Sequence, residues 1–346
     1  MIWLTWRQFR VQAITAAAAL AAFAILLAAT GPGLASRYAA SKVTSCHGFA
    51  CAPAANAFFD QLAGLDTVVY VLGIGLILVA PAIIGIFWGA PLIARELETR
   101  TFNLAWTQGV TRTQWLAVKL ALTGLAAMAV TEALSLIYAW WADPISKTIG
   151  LGFGGPQVFS QGQFSSVIFA SGGITPLGYA AFAFVLGIAA GALTGRALPA
   201  MAITLAIFAA AQLAMPLLIR PHLIPASHTT AAIADADLAY GSLTADVVPG
   251  QRDAWILSSQ ALNPAGQPVS TIPGACASPP GAASEKGGTS PITPAQCMQS
   301  RGYREAISYV PTSRYWPLQV IETGIYLALA LALAGLCFWR LSRRRT

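Results

Sequence analysis

The chain has 346 residues, of which 56% are hydrophobic and only 10% are charged. This composition excludes a water-soluble domain of ordinary type and predicts a protein embedded in a lipid bilayer. The net charge of +7 does not indicate nucleic-acid binding, because the basic residues are spread over loops and termini and form no patch interleaved with aromatic residues.

Six segments are apolar and long enough to cross a bilayer, which takes about 20 residues. They cover about residues 11–34, 68–93, 116–141, 173–195, 198–219 and 318–340. An even number of spans puts both termini on one side, where eleven of the 20 Lys and Arg lie in short segments. This bias predicts cytoplasmic N and C termini. The predicted fold class is an all-α membrane protein with six transmembrane helices and an extracytoplasmic domain between spans 5 and 6.

The first ten residues, MIWLTWRQFR, combine aromatic and basic side chains and predict a short interfacial helix before span 1. A signal peptide is the alternative, since small residues follow near Ala35. The apolar stretch exceeds the 7 to 15 residues of a typical signal, which favours a retained helix.

Cysteine placement supports the same orientation. No cysteine lies in a predicted cytoplasmic segment, and disulfides persist mainly outside the cytoplasm. The predicted bridges are Cys46–Cys51 and Cys276–Cys297, with Cys337 buried in the last span. A histidine beside Cys46 makes a metal site conceivable, but a fourth ligand at suitable spacing is missing.

Glycines in two spans are spaced four apart, which places them on one helix face and allows a neighbouring backbone to approach. They are Gly85 and Gly89 in span 2, and Gly187, Gly191 and Gly195 in span 4. We interpret both sets as helix-packing faces; incidental glycine in a Gly-rich chain is the alternative.

Glu132 lies near the middle of span 3, where a charged side chain costs about 3 kcal/mol. It is therefore expected to face protein or water, or to be neutral. A polar contact in a translocation path and a neutral carboxyl bonded to a neighbouring helix both fit the sequence.

The segments predicted outside the cytoplasm carry no nucleotide site. GLGFGG, in a glycine-rich segment predicted at 142–172, lacks a preceding strand, and SEKGGTS at 284–290 lacks the order of a phosphate loop. Residues 221–317 are rich in Pro, Gly, Ser and Thr. They are long enough for a small domain, and His222 and His228 there are interpreted as surface residues.

The stretch between spans 2 and 3 is polar. Residues 94–119 read ARELETRTFNLAWTQGVTRTQWLAVK. Glu96 and Glu98 are flanked by Arg95 and Arg100, and apolar residues recur at helical spacing, which predicts a short helix lying flat on the membrane. An interfacial loop with solvated charges is the alternative.

This stretch resembles the loop between the second and third helices of six-helix permease subunits of ABC exporters with the type V fold. Those loops carry an acidic cluster, Gly-Thr, a short helix, a turn ending in Arg and a basic residue opening the next helix. The matching residues are Glu96, Glu98, Thr101, Arg112 and Lys119. Arg100 departs from the family, which usually has glycine there. The WLTWRQ string near the N terminus extends the resemblance, and residues 308–330 resemble an actinobacterial branch.

The resemblance implies a permease subunit without a catalytic site, in the plasma membrane of a Gram-positive actinobacterium, that exports a hydrophobic or amphipathic drug, lipid or peptide. ATP and Mg²⁺ would bind a separate ATPase subunit, and this chain would hold no cofactor. The expected partners are that ATP-binding subunit, a second copy of the chain or a related permease, and membrane lipid.

The expected organisation has three parts: residues 1–220 with spans 1–5 and a cytoplasmic coupling loop at 94–115, an extracytoplasmic disulfide-containing domain at 221–317, and span 6 with a basic cytoplasmic tail at 318–346. By resemblance, residues 94–108 form a coupling helix that docks on the ATPase. The ATPase-coupling residues are Arg95, Glu96, Glu98, Thr101, Leu104 and Arg112.

Three other classes of membrane protein are alternatives. A membrane-anchored sensor or assembly protein would bind a ligand or partner through its extracytoplasmic domain. A secondary transporter would need an ion-coupling site, for which Glu132 is the candidate, but broken-helix repeats are not evident. A membrane hydrolase lacks a Ser-His-Asp or His-carboxylate grouping at one depth.

Overall fold

The structure is a computed structural model that describes residues 2–45, 51–62, 64–99, 112–151, 157–159, 161–233, 243, 248–251, 253–277 and 293–343. The chain forms two compact units. Unit 1 consists of Met1–Ile149, Phe153–Arg220 and Trp316–Thr346, and unit 2 of Gly150–Gly152 and Pro221–Tyr315. Each unit is described separately below.

Unit 1 is built from helices. They are α1 (Ile2–Ala40), α2 (Ala52–Asp60), α3 (Leu65–Ile84), α4 (Ala90–Thr99), α5 (Arg112–Gly150), α6 (Ser166–Ser171), α7 (Thr175–Thr194), α8 (Ala197–Ala214) and α9 (Tyr315–Arg343). A π-helical turn at Gly85–Gly89 joins α3 to α4, and a second at Met215–Ile219 follows α8.

Six helical stretches of the described chain are long and apolar enough to cross a membrane. Spans 1 to 6 are Phe9–Ala40, Leu65–Glu96, Thr113–Gly150, Thr175–Thr194, Ala197–His222 and Thr312–Arg340. The six spans predicted from the sequence are thereby confirmed. The fold is mostly helical but not all-α as predicted, because unit 2 contains a β-sheet.

Two helices are longer than expected. α1 runs without a break from Ile2, so the residues predicted to form a separate interfacial helix continue directly into span 1. α5 extends to Gly150, past the end predicted at 141. An ion pair between Lys147 and Asp143, one turn apart with 2.7 Å between Nζ and Oδ2, supports this last part of α5.

Span 4 is the central helix of unit 1. In its most apolar stretch 83% of the residues are buried, compared with 17% in span 5 and 11% in span 1. Phe184 and Ile188 of span 4 pack in one core cluster with Trp88 of span 2 and Trp115 of span 3. The other spans keep many large apolar side chains on the surface, which suits contact with lipid.

Spans 2 and 4 approach so closely that their backbones are in contact. A Cβ atom on Gly187 would lie 2.3 Å from the carbonyl oxygen of Gly85, and one on Gly89 would lie 2.4 Å from that of Phe184. A Cβ on Gly191 would lie 2.6 Å from the Ala90 carbonyl oxygen. Only glycine fits these positions without a backbone shift.

Gly195 differs from the packing role predicted for it. It is the C-cap of α7 with φ of +65°, and its N–H donates to the Gly191 carbonyl. No neighbouring atom lies within 4 Å of where its Cβ would be. The left-handed conformation, which glycine adopts at low cost, ends span 4 here and starts the turn into span 5.

Unit 2 contains a four-stranded antiparallel sheet with the order β1-β4-β2-β3. The strands are β1 (Ser227–Ala231), β2 (Trp255–Leu262), β3 (Pro268–Val269) and β4 (Arg304–Val310). Two short helices, Gly274–Ala277 and Pro294–Ser300, are joined by the Cys276–Cys297 disulfide. Both cysteines are buried with Ala261 and Met298, so the bridge is part of a small core. In unit 1 Cys51 is also disulfide-bonded, whereas Cys46 lies outside the described residues.

We expect Gly187→Ala to destabilise unit 1 by about 3 kcal/mol, because the new methyl group would overlap the backbone of span 2. Gly335→Ala is the control, since nothing lies within 4 Å of that Cβ position in span 6. Thermal unfolding of the two variants in mild detergent measures the difference. Equal midpoints would contradict the close contact.

Replacing Cys276 and Cys297 by serine is expected to destabilise unit 2 by about 3 kcal/mol, since the bridge closes a loop of moderate length. Cys337→Ala removes the free buried thiol of span 6 and serves as the control. Limited proteolysis between residues 253 and 315 reports the opening of unit 2. Resistance unchanged by loss of the bridge would argue that the sheet is stable without it.

Candidate functional site

The candidate site is the junction where the polar stretch between spans 2 and 3 meets the turn between spans 4 and 5. The described part of the polar stretch comprises the end of α4 and the start of α5. Arg95 is exposed on α4. Thr101 and Leu104 lie outside the described residues, as does the side chain of Arg112.

Glu96 forms an ion pair with Lys119, whose ammonium group donates to Glu96 Oε1. The Lys119 side chain is 3% exposed and that of Glu96 is 16% exposed. Lys119 Nζ also lies 4.6 Å from the centre of the Trp115 ring, an additional favourable position for a cation. This largely desolvated pair ties the last turn of span 2 to the first turns of span 3.

Glu98 caps the first turn of span 5. Its Oε1 accepts a hydrogen bond of 2.9 Å from the backbone N–H of Ala197, the first residue of α8. Arg196 at the N-cap position makes no side-chain cap of its own. A carboxylate at a helix N terminus satisfies a free N–H group and interacts favourably with the helix dipole. The two carboxylates of α4 therefore hold spans 3 and 5 against the end of span 2.

Span 1 contacts the same region through the π-helical turn. The Gln12 amide donates a 3.2 Å hydrogen bond to the carbonyl of Phe87. Phe9 packs edge to face against Trp88, with ring centres 4.8 Å apart. These contacts bring the start of span 1 against the last part of span 2, immediately before α4.

Glu132 lies elsewhere, in the middle of α5. It is half-buried, and its Oε2 is buried without a hydrogen-bond partner in the part of the chain described. Two neighbours on α5, Val130 and Leu134, line an apolar cavity of about 290 Å³ between spans 1, 2 and 3, but Glu132 does not. Its role in a translocation path stays a prediction.

One buried polar cluster was missed in the sequence. Arg220 of span 5 pairs with Glu322 of span 6. Arg220 lies at the end of a span, where basic residues are common, so its position alone does not predict a buried ion pair. The sequence does contain one indication of the pair: Glu322 lies inside the predicted span 6, at a membrane depth similar to that of Arg220 at the end of span 5. Among the described residues, no group of three or more His, Cys, Asp or Glu could hold a metal ion.

We expect Glu96→Gln to destabilise unit 1 by about 3 kcal/mol, because it leaves the buried Lys119 charge uncompensated. Glu98→Gln is the matched control: its amide oxygen still accepts from Ala197, so the loss should stay below about 1 kcal/mol. Glu96→Gln with Lys119→Met should recover most of the stability, since no buried charge remains. Thermal unfolding in mild detergent checks all three. Equal losses for the two Gln variants would contradict the assignment.

Comparison with known proteins identifies the family to which the chain belongs. The family model described as ABC-2 membrane transporter related matches residues 17–220, more than half of the chain. The match runs from span 1 to near the end of span 5 and includes the whole junction. No curated protein and no solved structure matches the chain significantly. The chain therefore belongs to the ABC-2 membrane transporter related family, a family of membrane transport components.

Proposed function

We propose that this protein is the transmembrane permease subunit of an ATP-driven ABC exporter that moves a hydrophobic or amphipathic drug, lipid or peptide. The family match over residues 17–220 carries the proposal. Membership implies in general a partnership with an ABC ATP-binding subunit. That separate chain would bind ATP and Mg²⁺, and this chain would supply the membrane path.

In this proposal residues 94–115 form the coupling loop, and its helix at 94–108 docks on the ATPase. The contacts of α4 support a route for the movement. A displacement of α4 would pass to span 3 through Glu96 and Lys119, and to span 5 through Glu98 and Ala197. Spans 2 and 4 would move together because their backbones are in contact. A change in packing of this kind requires that the ATPase contact the two states differently.

The contacts that Glu96 and Glu98 make within the chain refine the role expected for these residues. We also propose that both carboxylates lie near basic residues of the docked ATPase. The contacts of Glu96 and Glu98 within the chain add a second role. In this role the two carboxylates transmit to spans 3 and 5 a movement of the loop residues that contact the ATPase. Leu104 is then the sharper probe of docking, because changing it leaves both internal contacts in place.

The proposed orientation puts the junction and both termini in the cytoplasm and unit 2 outside. The excess of Lys and Arg in the short segments on the junction side supports it. The Cys276–Cys297 disulfide in unit 2 also supports it, because disulfides persist mainly outside the cytoplasm. The membrane is proposed to be the plasma membrane of a Gram-positive actinobacterium.

A second copy of the chain or a related permease is proposed to complete the transport path, with spans 2 and 5 of each copy lining it. Span 5 keeps large apolar side chains exposed, such as Leu198, Leu213 and Leu217. Such a surface suits either lipid or a second permease. Glu132 of span 3 is proposed as a polar contact in the path.

One observation favours a second function, that of a membrane-anchored sensor or assembly protein. One face of the sheet in unit 2 carries an open groove of about 620 Å³. Its lining includes the polar residues His228, Thr230, Ser258, Gln260 and Ser308. A groove lined by several hydrogen-bonding side chains could hold a polar ligand or a partner segment without any ATPase.

Affinity purification of the tagged protein from its native membrane tests the proposal. We expect an ABC ATP-binding subunit to be recovered with the parent protein and with Leu104→Ile. Leu104→Arg should reduce recovery about 10-fold, equivalent to about 1.4 kcal/mol of binding free energy, without lowering the amount in the membrane. Mass spectrometry measures the recovered chains.

Two results would count against this assignment. Recovery of no ATPase with the parent protein in mild detergent would favour the sensor or assembly function. Equal recovery with Leu104→Arg and Leu104→Ile would mean that the ATPase docks somewhere other than the coupling loop.

A further inference from the structure

A charged pair is completely buried near the end of span 5 and the start of span 6. Arg220 is 2% exposed and Glu322 is 0% exposed. The guanidinium group donates two hydrogen bonds to the carboxylate, from Nε to Oε2 at 2.9 Å and from Nη2 to Oε1 at 3.0 Å. Such a bidentate arrangement is both strong and geometrically specific.

Neighbouring helices complete the surroundings of the pair. The Tyr179 hydroxyl of span 4 donates to Glu322 Oε1. The Arg220 guanidinium carbon lies 4.1 Å from the centre of the Phe169 ring on α6. The ion pair therefore connects spans 4, 5 and 6 and the short helix α6 at one point.

The second π-helical turn brings Arg220 to this point. Four residues beyond Met215, a regular α-helix would bury Ile219, but Ile219 is 39% exposed and Arg220 is buried instead. The Arg220 N–H donates to the Met215 carbonyl, five residues back. The wider turn rotates Arg220 onto the buried face of span 5. Earlier buried positions on this face are Ala200, Thr204 and Phe208.

Gln319, one helical turn before Glu322, extends the polar contacts. Its Oε1 accepts from the backbone N–H groups of Ile174 and Thr175 at 3.2 Å each, which caps the start of span 4. Its Nε2 donates to the Phe169 carbonyl at 3.1 Å. Span 6 thus holds both α6 and the start of span 4 through side chains on the same face as Glu322.

The two residues of the pair also flank the main part of unit 2 in the sequence. Arg220 is the last residue of unit 1 before Pro221–Tyr315, and unit 1 resumes at Trp316, six residues before Glu322. The ion pair consequently joins the two segments of unit 1 from which this part of unit 2 extends. A change in their separation must strain or break the pair.

We propose that the Arg220–Glu322 pair is a clasp that keeps this end of spans 4, 5 and 6 closed to water and opens during the working cycle of the protein. Two charges held in a low-dielectric interior separate only when water or new partners replace their contacts. Intermediate separations are therefore unfavourable, and the clasp is either closed and dry or open and hydrated. This inference goes beyond the proposed function, because the clasp could open whether or not an ATPase drives the cycle.

Thr323 provides a reporter beside the clasp, since it is 6% exposed and adjoins Glu322. Thr323→Cys is placed in a Cys337→Ala background and labelled with N-ethylmaleimide, which crosses membranes but reacts with a thiol only where water permits its ionisation. In intact cells depleted of energy we expect slow labelling. In energised cells labelling should be at least about 5-fold faster, because opening hydrates the site.

Variants separate a clasp from other causes of labelling. Arg220→Met leaves the Glu322 charge unpaired and should raise labelling about 10-fold in depleted cells. Arg220→Met with Glu322→Leu leaves no buried charge and should return labelling to within about 2-fold of the parent. Tyr179→Phe removes a single hydrogen bond to Glu322 and should raise labelling about 3-fold with little effect on folding.

Two results would overturn the clasp. Equal labelling in energised and depleted cells would mean that the ion pair is a permanent structural contact that does not open. Labelling unchanged by both Arg220→Met and Tyr179→Phe would mean that the pair does not seal this end, and Tyr179→Phe alone decides this point if Arg220→Met fails to fold. Recovery of an ATPase is measured independently, so failure of the proposed function and failure of the clasp are distinguishable.

Discussion

Unit 1 depends on the contact between the backbones of spans 2 and 4. Gly85 and Gly89 on one side, with Gly187 and Gly191 on the other, bring main-chain atoms closer than any side chain would allow. Lipid provides no hydrophobic force between helices, so close packing of this kind is a main source of their association. Span 4 consequently lies at the centre, and the other spans are arranged around this pair.

The π-helical turn in span 2 lies within the same contact. It spans Gly85–Gly89, and the Ala90 N–H donates to the Gly85 carbonyl. A wider turn alters the direction of the side chains that follow, and it is here followed directly by α4, which carries Glu96 and Glu98. The packing of spans 2 and 4 thus sets the position from which both carboxylates reach spans 3 and 5.

Two ion pairs in unit 1 reflect a further constraint, because the bilayer core offers no water to solvate a charge. Glu96 is paired with Lys119, and Glu322 with Arg220. Each pair joins different spans, one at the junction beside α4 and one near the start of span 6. These two positions are where a change in helix packing would require charges to separate, which makes both suitable control points in a transporter.

The sequence by itself determined the six spans, because a run of about 20 apolar residues is a local property that the bilayer demands. It also determined which glycines of span 2 allow a neighbouring backbone to approach, and which two cysteines of unit 2 form a disulfide. Each of these rests on composition or on spacing within one segment.

Only the tertiary structure decided which groups meet. Glu96 could face solvent, lipid or a partner until Lys119 was placed beside it, and Gly195 had the spacing of a packing residue but adopts a left-handed cap. Arg220 reaches Glu322, 102 residues away, through a π-helical turn that no spacing rule predicted. The sheet of unit 2 likewise pairs strands distant in the chain. Contacts between remote segments depend on how the helices and strands pack, and a local sequence pattern does not contain that information.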